Sequence, residues 1–175
     1  MTAAMSTRKS QPKQPTGAAP MRDFSRSLPM ALLRARESVM RQFRPSLRAH
    51  GLTEQQWRIL RALAAIDAIE VTELAHTAFL LGPSLSRILR DLEQRRLIAR
   101  RLAKQDLRRS MVSITPAGLR LIAAVAPTSE AIYAAIAARF GAARLDDLHQ
   151  LLHDLETSLL SMPVAADAHD DAGES

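Results

Sequence analysis

The hydrophobic period of this chain changes within residues 82–115, from helical spacing to short apolar runs, and few folds accommodate that change in so little length. Leu85, Ile88, Leu89 and Leu92 recur at helical spacing and predict one buried side, leaving Ser84, Ser86, Arg87, Arg90, Asp91 and Gln94 facing out. Ile98–Ala103 and Met111–Thr115 then read as two strands joined by Lys104–Ser110, a β-hairpin with a basic tip. Upstream, Thr72 is placed to cap a helix over 73–80 that carries Leu74, Ala75 and Phe79 inward. Gly82-Pro83 reads as a tight turn, with Pro83 suited to the first turn of the next helix. Two helices joined in this way form a helix-turn-helix, and the hairpin behind them forms a wing.

Charge is concentrated on the same stretch. Between Gly82 and Ser110 stand nine basic residues (Arg87, Arg90, Arg95, Arg96, Arg100, Arg101, Lys104, Arg108 and Arg109) against Asp91, Glu93 and Asp106. Their net +6 equals the net charge of the whole 175-residue chain. Positive charge focused on one helix and one loop is the footprint of a nucleic-acid reader. Only three of the 24 basic residues are lysine. Arginine's planar fork suits phosphate and guanine contacts, although a GC-rich genome gives the same bias.

The flanking segments are helical. Ser27 caps a helix whose stripe is Leu28, Leu32, Ala35, Val39, Phe43 and Leu47; Pro45 should kink or split it, and Gly51 ends it. Arg36 lies on the flank of that stripe with Leu33 and Met40. Thr53 and Gln56 form a capping box for a helix with Trp57, Leu60, Leu63 and Ala64 inward. Residues 69–71 suggest a very short strand. Thr115-Pro116 starts a long helix that Pro127 should bend, and a last helix over about 143–161 is leucine-rich. That leucine face is wider than the wing domain needs, so with the first helix it is expected to form a dimer interface. The fold class is therefore mainly α with a small β-hairpin: a winged helix-turn-helix between N- and C-terminal dimerisation helices.

The absence of cysteine excludes disulfides and thiolate metal sites and fits a reducing cytoplasm. No stretch reads as a bilayer span, and no signal peptide is expected. His149 and His153 stand four residues apart, but two ligands do not make a metal site. No nucleophile–base–acid set and no phosphate loop occurs, so neither an enzyme nor a cofactor is expected. Residues 1–24 form a basic arm and 163–175 an acidic tail, both too poor in apolar surface to fold. The structured domain is 25–162, with its DNA-binding lobe at about 53–115.

The element order, together with Asp106-Leu107-Arg108-Arg109, Val112-Ser113-Ile114-Thr115 and Gly118, resembles the multiple-antibiotic-resistance regulator (MarR) family, with its D-x-R wing leading into an L-T-x-x-G helix start. Leu92-Glu93 and Leu97-Ile98-Ala99-Arg100 resemble that family's end of the reading helix. Leu32–Glu37 and Leu52–Leu60 are most similar to the subgroup of homoprotocatechuate degradation regulators. The resemblance covers about residues 25–160. The family usually has glycine where Arg96 stands, so either this turn differs or Arg96 accepts a positive φ at roughly 1 kcal/mol.

The resemblance implies a homodimer that reads an inverted repeat of double-stranded DNA, with half-sites about one helical turn apart. Ser84, Ser86 and Arg87 would enter the major groove. Arg108, held by Asp106, would reach the minor groove, Arg90 and Arg101 would meet phosphates, and Arg109 belongs to the same basic surface. It also implies a small aromatic carboxylate as effector, for which Arg36 supplies a cation, His50 a hydrogen-bond partner and Trp57 an apolar wall. Each has a second reading: Trp57 as core, His50 as a helix C-cap, and Arg36 as the partner of an acid such as Glu37 or the partner subunit's Asp67. Two function classes follow. One is a ligand-responsive repressor of aromatic-acid catabolism; the other is a ligand-independent DNA-binding or architectural regulator.

Overall fold

The computed structural model describes residues 23–102 and 109–163. Apart from Asp23, Phe24 and Pro163, the expected arm and tail lie outside them, as does most of the wing tip. The elements are α1 (Leu28–Ala49), α2 (Glu54–Ala64), β1 (Ile69–Glu70), α3 (Val71–Thr77), α4 (Gly82–Gln94), β2 (Ile98–Leu102), β3 (Ser110–Ile114), α5 (Pro116–Phe140) and α6 (Ala142–Leu160). Of the described residues, those up to Met40 form one compact unit and those from Arg41 onward a second.

In the first unit, Asp23 opens a short 3-10 turn over Phe24–Arg26 and accepts from the Ser25 backbone N–H. The Ser25 hydroxyl bond, and then that N–H bond, hold the Asp23 carboxyl below its ordinary value. Ser27 occupies the position before α1, and its carbonyl accepts from the Ala31 N–H. Its hydroxyl, however, donates to the Phe24 carbonyl rather than capping the helix. Helix α1 begins in this unit and runs without interruption through Pro45, which belongs to the second, so the expected split does not occur.

In the second unit, the α1 end is a Schellman turn. Leu52 N–H donates to the Leu47 carbonyl at 2.9 Å, Gly51 N–H donates to Arg48 at 2.9 Å, and Gly51 takes φ +66°. Thr53 and Gln56 make the expected capping box. Helix α2 buries Ile59, Leu60 and Leu63, while Ala64, expected inside, is exposed because the buried stripe runs 59–60–63. Leu74, Ala78, Leu85, Leu89 and Leu92 meet them in the core. The sheet order is β1-β3-β2, all antiparallel, with Ile69 opposite Val112 and Ile98 opposite Ile114.

Three sequence expectations for the helix-turn-helix are corrected. Helix α3 begins at Val71 rather than after Thr72, because the chain turns directly out of β1; Glu70 is the N-cap and makes no side-chain cap bond. Gly82 and Pro83 are the first residues of α4, not a turn preceding it. Phe79 is 78 % exposed, and Ala78 takes the buried position. The reason is a second Schellman turn: Leu80 N–H donates to Ala75 and Phe79 N–H to His76, and Phe79 adopts φ +50°.

The third such turn ends α4. Leu97 N–H donates to Leu92 at 2.9 Å, Arg96 N–H donates to Glu93 at 2.8 Å, and Arg96 takes φ +57°. The turn therefore has the shape that usually carries glycine, and Arg96 accepts the strain. Thr115 then caps α5 by accepting from the Gly118 N–H. The same hydroxyl lies 2.7 Å from the Arg96 carbonyl and 3.0 Å from that of Leu97, so it joins this turn to the start of α5. Gly118 lets the two segments approach: a Cβ there would collide with the Leu97 carbonyl oxygen and come within 2.7 Å of Ile114 Cγ1.

Helix α5 runs continuously through Pro127. Contrary to the sequence reading, it is long and apolar enough to cross a bilayer by length and composition alone. Here it is a helix of the folded domain, burying Ile122 and Val125 and making contacts with α2 and α6. No residue of α6 is buried.

Two substitutions test the junction. Arg96→Gly should raise the unfolding free energy by about 1 kcal/mol, by relieving the left-handed backbone. Gly118→Ala should lower it by roughly 2 kcal/mol or more, because backbone must move to admit the methyl group. Urea titration followed by circular dichroism measures both.

Candidate nucleic-acid interface

Helix α4 is amphipathic because Leu85, Leu89 and Leu92 are buried while Ser84, Ser86, Arg87 and Arg90 are exposed. The four polar candidates therefore share the solvent side of one rigid element. Asp91 does not belong with them. It is half-buried, accepts from Gln56 Nε2 at 2.7 Å and lies 3.5 Å from Arg95. This bond fixes the last turn of α4 to the first turn of α2.

The hairpin sets the remaining cations. Arg100 donates to Glu93 at the end of α4. Arg109 donates to Glu70, reaching from the residue just before β3 to β1. These pairs are partly exposed and stabilise little on their own. Their consequence is geometric: one strand of the wing is tied to the reading helix and the other to the strand leading into α3. Arg101 is exposed, and like Arg87 and Arg90 it has no carboxylate partner among the described residues. Arg108 and Asp106 lie outside the described residues.

The turn between α3 and α4 is fastened from below. Arg58 of α2 donates to the Ala78 carbonyl at 2.8 Å. Beside the turn lies a groove of about 790 Å³, lined by α3 (Val71, Thr72, Ala75, His76), the turn and the start of α4 as far as Ser86.

Each proposed effector residue has an intramolecular contact. Arg36 pairs with Glu37 at 2.6 Å. His50 Nδ1 lies 2.8 Å from the Ser46 carbonyl, a contact consistent with its helix-capping reading. Trp57 is half-buried, with the Arg61 guanidinium 5.9 Å from its ring. His149 and His153 are exposed on α6, and no group of three or more potential metal ligands occurs among the described residues.

The partners of Glu70, Glu93, Arg58 and Gln56 across the fold escaped the sequence reading. Each acts on a residue 7 to 39 positions away, so no local pattern marks it.

A family model described as MarR family matches residues 50–109. The homoprotocatechuate degradative operon repressor of Escherichia coli is 40% identical over 128 residues, covering 73% of this chain and 86% of the relative. The chain belongs to the MarR family. It is a winged-helix DNA-binding transcriptional repressor of that family and not an enzyme. Among solved structures, NadR in complex with 4-hydroxyphenylacetate is 34% identical with a TM-score of 0.68, covering 83% of this chain and 100% of that one. The repressor CouR bound to a 23-mer DNA duplex is 26% identical with a TM-score of 0.70, covering 80% and 99%.

Arg90→Ala and Arg101→Ala should each reduce the slope of log affinity against log salt by about one unit, with little change in sequence preference. Arg87→Ala should relax that preference. Anisotropy titrations at several salt concentrations, on duplexes of different sequence, separate the two effects.

Proposed function

We propose that this MarR-family protein is a ligand-responsive repressor of aromatic-acid catabolism genes. In this reading it binds an inverted-repeat operator as a homodimer and is released by a small aromatic carboxylate. The observation that carries the DNA-binding part is the solvent face of α4, where Ser84, Ser86, Arg87 and Arg90 stand together, with Arg101 of the wing also exposed. Asp106 and Arg108 complete this interface in the proposal.

Two features support dimerisation. Helix α6 leaves Leu148, Leu151, Leu152, Leu159 and Leu160 uncovered, and α1 leaves Leu28, Leu32, Leu33 and Val39 uncovered. Apolar residues in such numbers favour a partner surface. A two-fold partner of the same sequence would also present two reading helices to the two halves of a palindrome.

The effector class is supported by kinship with a repressor named for homoprotocatechuate degradation and by a relative solved with 4-hydroxyphenylacetate. Arg36, His50 and Trp57 are the residues we assign to it, as cation, hydrogen-bond partner and apolar wall. Binding carboxylate would require Arg36 to exchange Glu37 for the ligand, which sets a cost on affinity. Release from DNA requires unequal affinity of the ligand for the two protein shapes.

Gel shifts on the region upstream of the gene, with and without hydroxyphenylacetates, hydroxybenzoates and nicotinates, test the reading. One class should abolish the shift. If none does while binding persists, the protein is a ligand-independent regulator. Calorimetry should show at least tenfold weaker effector binding by Arg36→Ala; wild-type affinity in that variant removes Arg36 from the site. Sedimentation should give twice the monomer mass.

A further inference from the structure

Phe79 and Leu81 stand in neighbouring positions where the backbone favours other residues. Phe79 is the left-handed residue of a Schellman turn, a place suited to glycine. Leu81 is the N-cap of α4 and makes no side-chain cap bond, where serine or aspartate would supply one. Both choices cost stability, and neither is repaid by burial: Phe79 is 78 % and Leu81 80 % exposed. The turn that carries them is held in place by the Arg58 bond to the Ala78 carbonyl. Two breaches of local preference two residues apart, both in favour of large exposed apolar side chains, point to a contact made outside the chain.

The position of that contact follows from the groove beside the turn. Phe79 and Leu81 line it together with Ser86, one of the exposed residues on the reading face of α4. In a helix-turn-helix the N-terminal residues of the second helix meet base edges in the major groove. The apolar wall is thus continuous with the surface assigned to the duplex. Among major-groove edges, the apolar feature is the C5-methyl group of thymine.

We infer that Phe79 and Leu81 are specificity-determining residues that seat thymine methyl groups beside the start of the reading helix. The inference rests on the DNA-binding reading above. A buried methyl contributes about 0.8 kcal/mol, so each methyl read this way changes affinity about fourfold. Sequence preference at these base pairs is then set by apolar contact, next to positions set by Ser86 and Arg87.

The test begins with a duplex selected from a random pool by the full-length protein. Anisotropy measures affinity for that duplex and for the same duplex with deoxyuridine in place of thymidine, which removes only the methyl groups. Wild-type protein should bind the deoxyuridine duplex about fourfold more weakly for each methyl read. The variant carrying Phe79→Gly and Leu81→Ser should bind the thymidine duplex more weakly and lose that discrimination. Its thermal midpoint should equal or exceed the wild-type value, because glycine and serine suit the two backbone positions. An unaltered thymidine preference in the variant, or wild-type affinity for DNA, overturns the inference. So does a midpoint several degrees lower, which would mark the two side chains as packing groups. If selection enriches no duplex at all, the DNA-binding reading fails first, at a step before the variants are used.

Discussion

The Thr115 hydroxyl and the glycine three residues beyond it hold the DNA-facing part of this molecule together. The hydroxyl accepts from the Gly118 N–H and lies within hydrogen-bonding distance of the two carbonyls that follow the reading helix. A helix start, a helix end and the first residue pair of the wing, Ile98 with Ile114, thereby share one small volume. No side chain other than hydrogen fits at residue 118, because the Leu97 carbonyl occupies the space. The angle between reading helix and wing is therefore a property of backbone contact, which neither salt nor surface mutation alters readily.

Ion pairs then divide the arginines into two groups. Arg100 and Arg109 are bound to Glu93 and Glu70 and position the hairpin. Arg87, Arg90 and Arg101 have no acid beside them among the described residues and remain available to phosphate or base. A segment with a net charge of +6 would otherwise repel itself; acids spent on two of its arginines stiffen the wing and leave the reading face basic.

Much of this was legible in the sequence, for physical reasons. The spacing of Leu85, Leu89 and Leu92 identified α4, and the Thr53–Gln56 capping box fixed the start of α2 within a residue. Thr115 declared its role through the proline and glycine that follow it. Arg96 was visible as a departure from a glycine position; of the two alternatives that left, a different turn or a positive φ, the backbone takes the second. Phe79 was misread because periodicity assigns an aromatic residue at helical spacing to the core, whereas the helix had already ended two residues earlier. Thr72 was misread because strand β1 passes into α3 with no intervening loop. The pairs Gln56–Asp91 and Glu70–Arg109 span 35 and 39 residues, a range over which a single sequence carries no signal.

Three helices of this chain finish in the same six-residue turn, and the left-handed place in it is filled by Gly51, Phe79 and Arg96 in succession. The hydrogen bonds that make the turn involve main chain alone. Its shape is consequently indifferent to which side chain stands there, apart from a fixed penalty of about 1 kcal/mol for anything but glycine. Such a turn works as a socket: an aromatic ring or a guanidinium can be exchanged by a single codon while every neighbouring atom stays in place. Two of the three sockets border the reading helix, which gives this fold a cheap evolutionary route to new operators.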